Sequence, residues 1–217
     1  MKIALLQNTS LKTCAYAIRT CWQSHEKSDE GGENDKDLIA RVGNKFKHSS
    51  TLEHLNYTFY IDGISRALLQ ELARHRIASL SVKSTRYTLK ELKDENKFLT
   101  SNSKDLARAN KYLVFTDNPL VDKMSILALE NLRLVLQEKI PNDLAKYCLP
   151  ESYKTSLTWT INARSLQNFL ELRSSKAALW EIRALSFKIF NALPEDHKYL
   201  FEEKLTKDIV FEKNLKD

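Results

Sequence analysis

Glu71 and His75 lie where a core helix would carry aliphatic side chains. From Ile64 the apolar stripe runs Ile64, Ala67, Leu68 and Leu72, and the two ionisable residues fall on it seven and eleven places after Ile64. A Glu and a His directed inward each need a partner or a ligand, because burying an unpaired polar group is costly. His75 also sits in Arg74-His75-Arg76. Three basic groups at a helix C-terminus suit the helix dipole, so a favourable cap is the plain alternative. The same anomaly recurs downstream. Leu166, Phe169 and Leu170 mark a buried stripe, and Arg173 follows on that face. Such an arginine is either paired with a buried carboxylate or aimed at an anion. Arg164 and Asn168, four apart, line an adjacent face near the helix start, where backbone N–H groups lack partners. That arrangement suits a phosphate or a heterocycle, and equally an ion-pair scaffold.

Lys83, Ser84 and Arg86 follow Arg76 within ten residues, interleaved with hydroxyls at Ser79, Ser81 and Thr85. A basic, hydroxyl-rich turn fits a monophosphate. It also fits a nucleic-acid backbone, which makes a nucleic-acid-binding module the rival reading. His48 and His54, with Glu53 between them, lack the i, i+4 spacing of a helical metal pair, so no metal site is expected. His25 and His197 read as surface residues. Cys14, Cys21 and Cys148 form no C-x-x-C pair, which argues against a zinc site or a disulfide framework and leaves core packing as their role.

Composition narrows the classes further. With only 4 glycines the chain contains neither a G-x-G-x-x-G fingerprint nor a P-loop, so any nucleotide is held by side chains and helix ends. Lys+Arg exceed Asp+Glu by 34 − 28 = +6, which favours anionic partners. No apolar run approaches the ~18 residues of a membrane span, and Met1 to Leu6 is too short for a signal segment. The expected setting is the cytoplasm.

The elements that must carry these residues are readable from periodicity. Leu55 to Asp62 and Ser152 to Asn162 alternate apolar and polar residues, as half-buried antiparallel strands do, and Lys2 to Leu6 is a third strand. Helical spacing covers Thr13 to Trp22, Asp37 to Lys47, Ser65 to Arg74, Asp105 to Phe115, Leu120 to Lys139, Ser165 to Arg173 and Ala177 to Leu193. Gln23 to Lys36 reads as a surface loop, and Leu92 to Lys104 and the C-terminus as polar spacers. Strands separated by groups of helices, without βαβ alternation, predict an α+β fold: one domain over residues 1–217, with a mainly antiparallel sheet flanked by helices.

Arg74-His75-Arg76, seven intervening residues and Ser84 resemble the R-H-R-x7-S motif of the flavin-dependent thymidylate synthases. His48-Ser49-Ser50-Thr51-Leu52-Glu53-His54 is similar to that family's H-x-[ST]-x-x-E-H segment. Asn162 to Arg173 resembles its N-x-R-S-x-x-N-F-x-x-x-R helix. The three motifs occur in the family's order over about residues 14 to 190, which chance similarity does not explain.

The resemblance implies reductive methylation of dUMP to dTMP. The ligands it implies are FAD as cofactor, with NADPH and methylenetetrahydrofolate as co-substrates and tetrahydrofolate as product. It further implies a homotetramer with active sites between subunits, no enzyme-bound covalent nucleophile, and no nucleic-acid or membrane partner. Carried over by motif position, Arg74, His75 and Arg76 contact FAD, with Arg74 also near dUMP. Ser50 touches the flavin nucleotide from a neighbouring subunit, His48 and Glu53 shape that region, and Asn162, Arg164 and Asn168 complete the flavin site. Ser84, Thr85 and Arg86 hold the phosphate side of dUMP, and Glu71 supplies a further contact. Arg173 faces the uracil, where a cation stabilises negative charge developing on the ring. Two positions depart from the pattern. Val82 stands where the family usually has Glu or Gln, and Lys146 replaces a dUMP-binding Arg, keeping the charge but losing the bidentate fork.

Overall fold

Both alternating stretches form strands in the computed structural model, which describes residues 1–98 and 103–206. In chain order, β1 (Lys2–Asn8) leads into α1 (Leu11–Thr20) and then α2 (Glu33–Ile39), which continues as a π turn over Ala40–Lys45. A 3-10 turn, Ser49–His54, precedes β2 (Asn56–Ser65), which runs directly into α3 (Arg66–Leu72) and on to β3 (Ala78–Val82). Next come α4 (Thr85–Thr88), α5 (Lys90–Lys93), α6 (Ser103–Ala109), α7 (Pro119–Gln137) and α8 (Asn142–Ala145). The chain continues with β4 (Lys154–Asn162), α9 (Ala163–Arg173), α10 (Trp180–Ala192) and a 3-10 turn, Glu195–Leu200. The four strands form an antiparallel sheet in the order β1-β2-β4-β3, so the fold is α+β.

Alternation decides which strand faces are buried. Tyr57, Phe59 and Ile61 of β2 and Leu157, Trp159 and Ile161 of β4 are enclosed, while their sequence neighbours are half-buried or exposed. β2 extends past the expected end at Asp62 because Gly63 adopts φ +75°, a left-handed conformation that moves the next buried side chain to Ile64. β3 is a fourth strand beyond the three expected. Ala78, Leu80 and Val82 alternate with Ser79 and Ser81, but all five residues are half-buried or exposed. β3 pairs with β4: just beyond its end, Lys83 N–H donates to Ser156 O at 2.8 Å.

The helices follow their stripes with shifted ends. Asn118 caps α7 by accepting from Leu120 N–H and Val121 N–H, and Pro119 occupies the first helical position. The stretch expected as helix to Phe115 stops at Ala109, after which Leu113 bridges antiparallel to Tyr153. α3 ends at Leu72, so His75 lies past the helix rather than on its third turn. The expected loop from Gln23 to Lys36 is instead a 3-10 turn at His25–Lys27 followed by the start of α2. Its polar residues are spent inward. Asp35, fully buried, accepts from Arg19 Nη2 at 2.7 Å, Ser28 Oγ at 2.6 Å and Gly31 N–H at 2.9 Å. Residues 99–102 of the expected spacer and the C-terminal tail from 207 lie outside the described residues.

Two assignments by residue type are corrected. His197 is buried rather than at the surface, because its Nδ1 bonds the Tyr57 hydroxyl at 2.8 Å and the pair satisfies itself. Of the cysteines only Cys14 packs in the core; Cys21 and Cys148 are exposed.

The chain divides into two compact units. One comprises Met1–Ile61, Glu71–Leu80 and Thr158–Asp217; the other comprises Asp62–Gln70 and Ser81–Leu157. The core of the first is built from Tyr57, Phe59, Trp159, Phe169 and Phe201 with surrounding aliphatics. The second closes around Leu89, Leu92, Phe98, Tyr112, Leu129 and Tyr153.

Candidate active site

α9 positions most of the site in the first unit. Its Ala163, Leu166, Phe169 and Leu170 face the core, which turns Arg164, Asn168 and Leu172 outward on the opposite face. Asn162 ends β4 and starts α9. Its side-chain oxygen accepts the Ser165 N–H at 2.8 Å, so the residue works as a helix cap and does not line the cavity. The turn after α3 brings Arg74, His75, Arg76 and Ile77 to that face. Together with Arg164, Ser165, Asn168, Leu172 and Arg173 they enclose a cavity of about 540 Å³.

Two motif residues, His75 and Arg173, meet Glu71 in one hydrogen-bonded cluster. Arg173 Nη1 donates to Glu71 Oε2 at 2.7 Å, Nη2 to the Glu71 carbonyl at 3.2 Å, and Nε to His75 Nε2 at 3.0 Å. The sequence left Arg173 with two fates, a carboxylate partner or an anion; within the chain it has the carboxylate. His75 is buried, its ring edge-on to Phe169 at 5.1 Å. Burial, and then the positive charges of Arg173 and Arg74, push its pKa down to about 4. Arg74 and Arg76 are exposed and have no ion pair among the described residues, which leaves two guanidiniums free for an anion.

The H-x-[ST]-x-x-E-H segment forms the 3-10 turn Ser49–His54, with His48 just before it and Ser50 exposed. Gly43 lets the preceding π turn approach this segment: a Cβ there would lie 2.7 Å from Leu52 Cδ2. Glu53 Oε1 accepts from Arg164 Nη1 at 2.7 Å, tying the turn to α9. His48 and Ser50 do not line the cavity.

Ser84, Thr85, Arg86 and Lys146 belong to the second unit. Ser84 precedes α4 and its carbonyl accepts from the Thr88 hydroxyl at 3.0 Å. Arg86 forms a fork on Asp143, with Nε at 2.6 Å and Nη2 at 3.2 Å, and both residues are exposed. Lys146 is exposed, its ammonium 6.0 Å from the Tyr147 ring centre. Val82 is exposed at the end of β3. Sequence reasoning missed Ser165, Leu172 and Ile77 in the cavity wall. The first two share a helical face with Asn168, so the three- and four-residue spacing was the available signal. Asp143 as the partner of Arg86, 57 residues away, has no local signal.

No described group of His, Cys, Asp and Glu is arranged to hold a metal ion, and no described helix is long and apolar enough to cross a membrane. The family model described as "Thymidylate synthase complementing protein" matches residues 4–197. The chain is 66% identical over 209 residues to the flavin-dependent thymidylate synthase of Campylobacter jejuni strain RM1221, covering 96% of this chain and 100% of that protein. To the enzyme of that name from Wolinella succinogenes it is 69% identical over 201 residues, covering 93% of this chain and 97% of that one. Among solved structures it resembles the flavin dependent thymidylate synthase ThyX from Helicobacter pylori complexed with FAD and dUMP. The TM-score is 0.92 at 61% identity, over 95% of this chain and 100% of the other. A cationic cavity built from the R-H-R segment and α9, in a chain this close to those proteins along its length, places it among the flavin-dependent thymidylate synthases.

Proposed function

We propose that this chain, as one catalytic domain spanning residues 1–217, converts dUMP to dTMP with FAD as cofactor. The cavity carries the reading: three outward-facing arginines and a buried neutral histidine are what an anionic, heterocyclic ligand requires, and the Helicobacter pylori relative was solved with FAD and dUMP. The residues fit that cofactor. Arg74, Arg76 and Arg164 supply charge for a diphosphate, Asn168 supplies an amide for ring edges, and His75 supplies a ring N–H. FAD, when bound, supplies hydride drawn from NADPH, and methylenetetrahydrofolate supplies the carbon.

The protein's part is position and charge. Arg173 stabilises negative charge on the pyrimidine. Glu71 keeps Oε1 available to the nucleotide, since only Oε2 is engaged among the described residues. Ser84, Thr85, Arg86 and Lys146 hold the dUMP phosphate. Asp143 presents the Arg86 fork, and because an exposed ion pair is worth only ~0–1 kcal/mol, a phosphate displaces it at small cost. Val82 offers no side-chain hydrogen bond. Ser50, His48, Glu53 and Asn162 complete the flavin site as the turn and cap around α9, with Ser50 serving a neighbouring subunit. The exposed apolar face of α7 (Leu120, Met124, Leu127 and Leu134) supports assembly into a homotetramer in the cytoplasm.

No enzyme nucleophile is required. Cys14 is buried and burial pushes its thiol up to about 12, and neither Cys21 nor Cys148 lines the cavity. The test is FAD titration by absorbance, followed by dUMP-dependent NADPH oxidation. The expected result is NADPH consumed in step with dTMP, tetrahydrofolate as product, no adduct on Ser84 by mass spectrometry, and activity that survives Cys→Ala at each cysteine. Dihydrofolate formed without FAD or NADPH defeats the proposal, as does a colourless protein that takes up no FAD and shifts DNA or RNA.

A further inference from the structure

We infer that Glu71 and Arg173 together set the protonation geometry of His75, making it a neutral donor through Nδ1–H toward an uncharged acceptor of the ligand in the cavity. The inference rests on the proposed function only for what occupies that cavity. A guanidinium does not deprotonate in a protein, so Arg173 Nε is always a donor. The atom it meets at 3.0 Å, His75 Nε2, must therefore offer a lone pair. An imidazolium has none, because both of its nitrogens carry protons. With the Arg173 bond in place the ring is neutral, and its one proton is on Nδ1.

Glu71 makes that bond hold. Its carboxylate and its own carbonyl grip Nη1 and Nη2, fixing the plane of the guanidinium, and the plane aims Nε at the imidazole. Phe169 against the ring and the bond from the His75 backbone N–H to the Leu72 carbonyl at 3.1 Å hold the other partner. The charged groups facing His75 are Arg173, Arg74 and Glu71. Burial disfavours the charged ring most, and two of these three groups are cations that add to it, so acid does not readily convert the ring. Nδ1 has no acceptor among the described residues, and His75 lines the cavity.

This assigns a division of labour among the basic groups. The arginines meet phosphate oxygens by charge. His75 reads a carbonyl or ring nitrogen of the heterocycle by direction, without adding a fourth charge beside Arg74, Arg76 and Arg173. Glu71 acts through Arg173 and is a positioning residue.

The experiment uses ligand-free protein labelled with [13Cε1, 15N]-histidine, with the His75 signal identified by its loss in His75→Gln. In the unaltered protein the expected state is the Nδ1–H tautomer with no titration between about pH 8 and pH 5. Arg173→Met removes the donor at similar length, so the tautomer should become mixed and the midpoint should rise toward the ordinary value near 6.5. Glu71→Ala should do the same in part. Glu71→Gln should keep the native tautomer, because an amide oxygen still accepts the Nη1–H. Folding is checked by circular dichroism, and the unaltered protein alone is decisive. An Nε2–H tautomer, or ordinary titration near pH 6.5, overturns the inference, as does an unchanged signal in folded Arg173→Met. Addition of FAD should shift the Nδ1 resonance of His75, and a shift confined to the other histidines removes the ligand contact. Failure of FAD to bind at all counts against the proposed function and leaves the ligand-free result standing.

Discussion

Arg173 serves two neighbours at once, and the arrangement explains why it has to be an arginine. A lysine could satisfy Glu71, but it has no second rigid N–H to hold His75 Nε2 while the other donors stay on the carboxylate. Arg173→Ala should lower dUMP-dependent turnover by about 10²–10³-fold, the range found when a charge-stabilising donor is lost. FAD titration should still saturate, because Arg74, Arg76 and Arg164 are untouched. Substantial dTMP formation by the folded variant would show that the ring is activated elsewhere. Arg173 was legible in the sequence because it broke an apolar stripe. Its partner was not: Glu71 lies 102 residues away, and its own anomaly named no mate.

At the scale of elements, the Ser28–Asp35 segment shows how polar composition misleads. Glycines and charges suggest a loop, yet Asp35 is fully buried and held by Arg19, Ser28 and Gly31. The bond from Arg19 joins α1 to α2, so the clamp sets the start of the chain segment that leads to the Ser49–His54 turn. Asp35→Ala should cost roughly 3–5 kcal/mol, because it leaves a buried guanidinium without its counter-charge. Hydrogen bonds from Ser28, Arg19 and Gly31 outweigh burial and hold the Asp35 carboxyl below its ordinary value. The clamp's contribution is therefore complete above the unfolded-state value near 3.9 and is lost as pH falls through the lower folded value. Urea midpoints from pH 7 down to about pH 2 should show the gap between the parent and Asp35→Ala narrowing only in the acid limb. A constant gap would mean that the clamp is not electrostatic.

For the molecule as a whole, the motif residues are distributed between two compact units, and the resemblance assigns them to active sites shared between subunits. The apolar face of α7 is exposed in the single chain, as a surface awaiting a second copy would be. Mixed assemblies of Ser50→Ala and Arg173→Ala chains should therefore recover part of the activity that each loses alone. Steady-state turnover of co-refolded mixtures, with assembly checked by light scattering, reads this directly. Mixtures that stay inactive while tetrameric would place both residues in the same site from the same chain.

Local order was legible because it is periodic. Alternation located β2 and β4, three- and four-residue spacing located α7 and α9, residue types that violate those periods marked Glu71, His75 and Arg173, and a place near a helix start marked Arg164. The charge balance and the scarcity of glycine limited how an anionic ligand could be held. Pairing was decided elsewhere. β3 took its place beside β4, His197 entered the core because Tyr57 receives it, and Arg86 faces Asp143 across 57 residues. Periodicity is written in neighbouring residues, whereas the partner of a buried polar group is chosen by whatever the fold brings within about 3 Å of it.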